Sequence, residues 1–175
     1  MKKAIFLDRD GVINEVLTKR VKFVNKPKDL YLLPRVGEAI KLLNDAGFLV
    51  FVVTNQGGIG LGYMTEEALQ KVHHKMEKEL SKAGASIQEV AYCPHKPEAG
   101  CECRKPNSKM LFDLAKRHGL DLGSSYMVGD REVDIMAGKG AGVKTIIVGK
   151  EKTELADYRF PSLYEAAVFI TKRSE

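Results

Sequence analysis

No stretch of this 175-residue chain is hydrophobic enough to cross a membrane. The longest apolar run, Phe48 to Val53, falls far short of the ~18 residues that a spanning helix needs. The opening MKKAIFLD is basic, but its apolar part stops at Asp8, too short for a secretory leader. These absences set the expectation of a cytoplasmic protein with no membrane partner. Internal repeats, low-complexity tracts and linker-like runs are missing too, and no segment is long enough for a separate cap domain. Residues 1–175 therefore read as a single domain with one core. Cysteine is scarce: three residues cannot all pair with one another. Basic residues are plentiful, but they lack the interleaved aromatics on which bases stack, so no nucleic-acid partner is expected.

The composition is that of an ordinary globular protein, 44% hydrophobic and 29% charged. A net charge of +5 favours an anionic partner, although a solvated lysine-rich surface explains it equally well. Apolar segments alternate with helical ones. Lys3–Asp8, FLVFVVT (Phe48–Thr54), SIQEVAYC, SYMVGD (Ser125–Asp130) and VKTIIVG read as five strands. Between them, Val36, Ala39, Ile40 and Leu43 share one helical face that Pro34 can open and Gly47 can stop. Thr65 can cap a second helix carrying Leu69, Val72, Met76 and Leu80. Lys109–His118, REVDIMAGKGAG and a last helix from Pro161 complete the set. Continuous apolar strands in alternation with helices imply an α/β fold, a Rossmann-like doubly wound parallel sheet covered on both faces. Such sheets gather ligands at the carboxyl ends of their strands.

Asp8, Thr54 and Asp130 all fall at such ends. FLDRDGVIN runs three apolar residues into two aspartates separated by one arginine. Carboxylates ending the first and fourth strands can converge on Mg²⁺, which prefers oxygen ligands. One of Asp8 and Asp10 can then attack as a nucleophile while the other handles a proton. Gly11 frees the bend between them. Thr54 and Asn55 add a hydroxyl and an amide, the glycines from Gly57 to Gly62 allow close backbone approach or merely a flexible connection, and Lys105 adds a fixed cation. GDREVD supplies Asp130 and Asp134, the latter without an assigned role. Singly, each of these has an ordinary explanation as a cap, turn or surface residue.

A second cluster lies in CPHKPEAGCECRKP. Cys93, His95, Cys101 and Cys103 make a C-x-H, C-x-C set, which suits a closed tetrahedral zinc site at 93–103. With no open coordination position the zinc would be structural, and it would fix the direction of Arg104 and Lys105. His73, His74 and His118 lie on helices without ligand spacing and receive no role.

Taken in order, FLDRDGVIN, FVVTN, Lys105 and VGDREVD resemble the motifs of the haloacid dehalogenase-like phosphohydrolases over nearly the whole chain. The resemblance implies that Asp8 forms an aspartyl-phosphate, that Asp10 protonates the leaving oxygen and then activates water, and that Thr54 and Lys105 hold the transferring phosphoryl group. Asp8, the backbone carbonyl of Asp10, and Asp130 would hold Mg²⁺. The cysteine loop narrows the resemblance to the zinc-containing, capless branch with the heptose 1,7-bisphosphate and histidinol-phosphate phosphatases. That branch implies a small phosphorylated sugar substrate met by Asn55, Gln56 and Arg104, and a monomer. Two departures stand out: Gln56-Gly57 replaces a Gln-Ser pair, and EVLTKRVK lengthens the segment before Phe23-Val24. Histidinol phosphate is the alternative substrate. A zinc-stapled binding module and a phospho-acceptor domain are the non-enzymatic alternatives, the latter disfavoured by Asp10.

Overall fold

The four residues of strand β1 (Ala4–Leu7) are apolar and fully buried, so both faces of the sheet around it must be covered. The computed structural model describes residues 1–174 and shows how; Glu175, the end of the expected domain, lies outside the described residues. Six parallel strands lie in the order β3-β2-β1-β4-β5-β6, with β2 at Leu49–Asn55, β3 at Glu89–Cys93, β4 at Tyr126–Gly129, β5 at Lys144–Val148 and β6 at Tyr158–Phe160. Helices α1 (Val36–Asp45), α2 (Glu66–Ser81) and α5 (Leu163–Arg173) pack on Ile5, Leu7, Val50 and Val52. Helices α3 (Lys109–His118) and α4 (Glu132–Ala141) cover Ala4, Phe6, Phe51 and Val53 on the opposite face. Alternate residues of β1 and β2 thus feed two separate apolar cores, as the two-residue period of a strand requires.

Five strands and five helices fall where the sequence places them. Thr65 caps α2, its hydroxyl accepting the Ala68 N–H at 3.0 Å. Pro34 and Pro161 precede their helices rather than lying inside the first turn, since α1 and α5 begin at Val36 and Leu163. The sixth strand, β6, is unforeseen; it has only three residues and none of them is buried. Among the described residues no helix is long and apolar enough to cross a membrane.

The order of strands centres β1 between β2 and β4. After β1 the chain makes a long irregular excursion to α1, held down by buried Val12, Ile13, Val21, Val24 and Leu30. Lys75 of α2 donates to the Pro27 carbonyl at 2.9 Å and ties this excursion to the helix beside it.

Candidate active site

Asp8 is the first residue beyond β1 and Asp130 the first beyond β4. The strands are paired in register, Leu7 beside Val128, and the Asp8 N–H extends the ladder to the Val128 carbonyl at 3.0 Å. Their tips therefore bring two carboxylates together. The crossing chain comes so near that a Cβ on Gly11 would lie 1.9 Å from Asp130 Oδ2. Gly11 also has φ of +84°, a conformation that L side chains rarely adopt.

Asp134 joins them from the first turn of α4. Its Oδ2 accepts the Arg131 N–H at 3.1 Å, capping the helix, while Oδ1 accepts from Lys105 Nζ at 2.6 Å. Lys105 Nζ also donates to Asp8 Oδ1 at 3.0 Å and to the Val53 carbonyl at 2.8 Å, so its donors are fully engaged. Both side chains of the Lys105–Asp134 pair are about 2% exposed. Asp134, left without a role by its sequence position, is thus the buried counter-charge that aims Lys105 at Asp8.

The electrostatics of this cluster are unbalanced. Asp8, Asp130 and Asp134 present oxygens within 4.8 Å of one another, against the Lys105 ammonium, so two negative charges go uncompensated whenever all three are ionised. Burial and then Asp134 push Asp130 up to about 6, and burial with the same neighbour holds Asp8 well above the usual carboxylate range. Burial opposes the charged form of Lys105, yet Asp134 and Asp8 outweigh it and raise the lysine above its ordinary value. Among the described residues, Asp130 Oδ1 is buried without a hydrogen-bond partner. A buried orphan oxygen beside excess negative charge fits a divalent cation with oxygen ligands. The Asp10 carbonyl accepts no hydrogen bond among the described residues, which leaves it open to the same ion.

The Asp10 carboxylate faces a different set of groups. Arg9, completely buried, donates Nε at 3.0 Å and Nη2 at 2.8 Å to Asp10 Oδ1, and Asn14 Nδ2 adds a third bond at 3.0 Å. Burial would raise the Asp10 pKa, but Arg9 with the Asn14 and Gln56 hydrogen bonds overrides it and holds Asp10 below its ordinary value. Gln56 Nε2 approaches Asp10 Oδ2 at 3.5 Å and donates to Thr54 Oγ1 at 2.8 Å, linking the expected phosphoryl contact to the expected acid–base group. Asn55 behaves otherwise than as a free substrate contact: its Oδ1 accepts the Lys105 N–H at 2.9 Å and its Nδ2 donates to the Lys105 carbonyl at 3.2 Å. Both ends of the amide fix the backbone of the lysine.

On the far side of Arg9, Nη1 lies 3.2 Å from His73 Nε2. An arginine only donates, so Nε2 must accept. Burial and then the Arg9 charge depress His73 to about 3, keeping the ring neutral. Neither Arg9 nor His73 is evident from the sequence as part of the site. An arginine between two aspartates reads as solvated charge, and an inward histidine on an amphipathic helix reads as core. Their meeting spans 64 positions. His118 has an architectural place instead, with Nε2 2.7 Å from Glu89 Oε1 and its ring against Phe51.

Cys93, His95, Cys101 and Cys103 do converge. Their ligand atoms lie within 4.8 Å of one another, with His95 Nδ1 3.4 Å from Cys93 Sγ and 3.3 Å from Cys103 Sγ. Cys93 and Cys103 are in direct sulfur contact, the pairing of a disulfide, with Cys101 Sγ 3.5 Å from Cys93 Sγ. The loop is built into the site from both ends. Gln56 N–H donates to the Cys93 carbonyl at 2.8 Å and Gly60 N–H to the Pro94 carbonyl at 2.9 Å. A Cβ at Gly60 would lie 2.7 Å from Lys96 N, so this glycine serves the packing of two loops rather than a ligand cradle. Arg104 Nη1 reaches the His95 carbonyl at 3.4 Å and also borders Gly57.

Residues 102–171 match the HAD-hydrolase-like family. The chain is 36% identical over 173 residues to the D-glycero-α-D-manno-heptose-1,7-bisphosphate 7-phosphatase of Campylobacter jejuni, covering 98% of this chain and 97% of that one. It is 40% identical over 147 residues to the D-glycero-β-D-manno-heptose-1,7-bisphosphate 7-phosphatase of Rhodopseudomonas palustris, 80% of this chain and 79% of the relative. The solved D,D-heptose 1,7-bisphosphate phosphatase of B. bronchiseptica, complexed with magnesium and phosphate, superposes with a TM-score of 0.89 at 31% identity over 98% of this chain and 99% of that one. Likeness of this extent, carried by a parallel sheet whose central strand tips assemble the aspartate cluster, makes the chain a member of the heptose 1,7-bisphosphate phosphatases within the haloacid dehalogenase-like family.

Proposed function

We propose that this protein removes the C7 phosphate of D-glycero-D-manno-heptose 1,7-bisphosphate, with Asp8 as nucleophile and Asp10 as acid and base. Its family are phosphoric monoester hydrolases, and the buried, under-neutralised cluster of Asp8, Asp130 and Asp134 is the observation that carries the chemistry. Asp8 attacks phosphorus while Asp10, which takes up a proton from solvent before this step because Arg9, Asn14 and Gln56 otherwise hold it charged, gives that proton to the departing sugar oxygen. The aspartyl-phosphate is then hydrolysed by a water whose proton Asp10 takes back, restoring both residues. Mg²⁺ held by Asp8, Asp130 and the Asp10 carbonyl would supply the positive charge that phosphoryl transfer demands. Lys105, fixed by Asp134 and Asn55, keeps the nucleophile in place and adds charge beside it. Thr54, oriented by Gln56, is positioned for a phosphoryl oxygen.

Zinc on Cys93, His95, Cys101 and Cys103 is part of the same proposal. A disulfide between Cys93 and Cys103 would leave a third thiol and an imidazole crowded onto it without purpose, whereas four such donors are a complete structural zinc set. Reduced cysteines in turn suit a cytoplasmic enzyme. We take it to act as a monomer and a single domain.

The second phosphate of the substrate supplies the test. Arg104 stands on the cysteine loop next to Lys105, and Lys19, Lys22, Lys26 and Lys28 lie on the excursion after β1. Arg20 of the same segment is paired with Glu15 and stacked 3.9 Å over the Tyr31 ring. Bidentate guanidinium–phosphate contacts contribute roughly 1.5–3 kcal/mol, about ten- to a hundredfold in affinity. The expected result is a kcat/KM for the heptose bisphosphate about tenfold or more above that for histidinol phosphate, a gap that Arg104→Ala narrows without affecting a small generic ester. Equal values for the two substrates in the wild type would overturn the heptose assignment.

A further inference from the structure

The two oxygens of the Asp10 carboxylate are not equivalent. Oδ1 receives Arg9 Nε, Arg9 Nη2 and Asn14 Nδ2, all within 3.0 Å. Among the described residues Oδ2 has only the long approach of Gln56 Nε2 at 3.5 Å. An oxygen with three donors has no lone pair directed at a new proton, while its partner does. The side chain is 29% exposed, so the unencumbered oxygen has access to the site. Its holder is rigid. Arg9 is 0% exposed, and its carbonyl accepts the N–H groups of Val12, Ile13 and Asn14, making it the pivot of the loop after β1. Its guanidinium is gripped from behind by His73 of α2 through Nη1.

We infer that Arg9 and His73 form a positioning pair that locks Oδ1 of Asp10 and so assigns proton transfer to Oδ2. The pair rests on the reading of Asp10 as the acid–base group given above. Neither residue touches substrate in this arrangement. Arg9 fixes the direction of the carboxylate, and His73 fixes the rotation of the guanidinium by giving its third edge an acceptor. A buried guanidinium with one edge unpaired would swing toward any other acceptor and carry Asp10 with it. The neutral ring is the right partner, because a second cation there would repel Arg9. The arrangement joins α2 to the reacting carboxylate across 64 positions of sequence.

A proton donor matters in proportion to how poor the leaving group is. A sugar alkoxide must be protonated as it departs, whereas p-nitrophenolate leaves unaided. The ratio of kcat/KM for the heptose bisphosphate to that for p-nitrophenyl phosphate therefore reports the aim of Asp10, and kcat/KM covers only steps up to formation of the aspartyl-phosphate. Three variants are compared with the wild type: His73→Leu removes the acceptor, His73→Gln replaces it, and Arg9→Lys keeps the charge but loses the fork. Circular dichroism and melting of each establish that it is folded; the His73 variants preserve the argument if Arg9→Lys is not. The expected result is that His73→Leu and Arg9→Lys lower the heptose value roughly 10- to 100-fold, chiefly through kcat, while p-nitrophenyl phosphate changes by less than about threefold. His73→Gln should return most of the loss. Asp10→Asn serves as the reference and should show the same selectivity in stronger form. Equal losses on both esters, or none, in folded His73→Leu, with Asp10→Asn selective, would overturn the positioning pair alone. An unselective Asp10→Asn would overturn the acid–base reading of Asp10 and the pair with it.

Discussion

A single methyl group added at Gly11 would collide with the carboxylate of Asp130, 1.9 Å from its Oδ2, in a backbone conformation already unfavourable to L side chains. The left-handed conformation alone costs roughly 1–2 kcal/mol. Gly11→Ala should accordingly lose at least that in urea unfolding, and should lose nearly all phosphatase activity, because Asp130 must yield. Retention of wild-type activity would show that Asp130 tolerates displacement and is not needed where it stands. Most of the candidate site was legible at this scale. Asp8, Asp10, Thr54, Lys105 and Asp130 follow recognisable apolar strands or the cysteine loop, and their types suit the chemistry. What stayed hidden were second partners: Asp134 on Lys105, Asn55 on the Lys105 backbone, Arg9 and His73 behind Asp10. Such partners come from different elements and leave no local spacing to read.

At the scale of the element, the loop 93–103 has the most to decide. Its four donors converge as a metal site would need, and two of its sulfurs are in contact. Zinc predicts about one equivalent of metal per chain that survives dialysis against a mild chelator, since four protein ligands leave no open position. It also predicts that denaturation with a strong chelator releases all three cysteines as titratable thiols, whereas a disulfide would leave the Cys101 thiol alone. Thiol titration beside elemental analysis distinguishes the two. Elements with an apolar run or a sustained periodicity were readable from the sequence: the strands from β1 to β5 and all five helices. The strand β6 was not, because three residues, partly or fully exposed, carry neither a continuous apolar run nor a measurable alternation. Its place comes from Asp157, whose side chain accepts from the Thr145 N–H at 2.8 Å and docks the segment against β5. The glycines after Thr54 were legible as residues but not in purpose, since the surface they fit belongs to another loop.

For the molecule as a whole, the aspartate cluster links stability to pH and metal. The folded pKa of Asp130, about 6, lies above the ~3.9 of an unfolded aspartate, and Asp8 is shifted the same way. Between those values the folded state binds more protons than the unfolded one. These groups therefore favour folding as pH falls through about 6 and oppose it above. Mg²⁺ bound at the proposed site would remove the penalty where the carboxylates are charged and compete with protons where they are not. The rise in Tm on adding Mg²⁺ should be larger at about pH 7.5 than at about pH 5. Differential scanning calorimetry checks this; an increment independent of pH would mean the ion binds elsewhere. The strand order carries one more consequence, for the time course of synthesis. β1 is made long before β4, so one of its flanks must wait, and the Ala4 N–H finds its acceptor in Ser125, 121 positions later. Until that distant strand leaves the ribosome, the apolar edge of β1 has no mate and Asp8 has no Asp130. A nascent chain would be chemically silent until β4 emerges, with an exposed strand edge for chaperones to shelter.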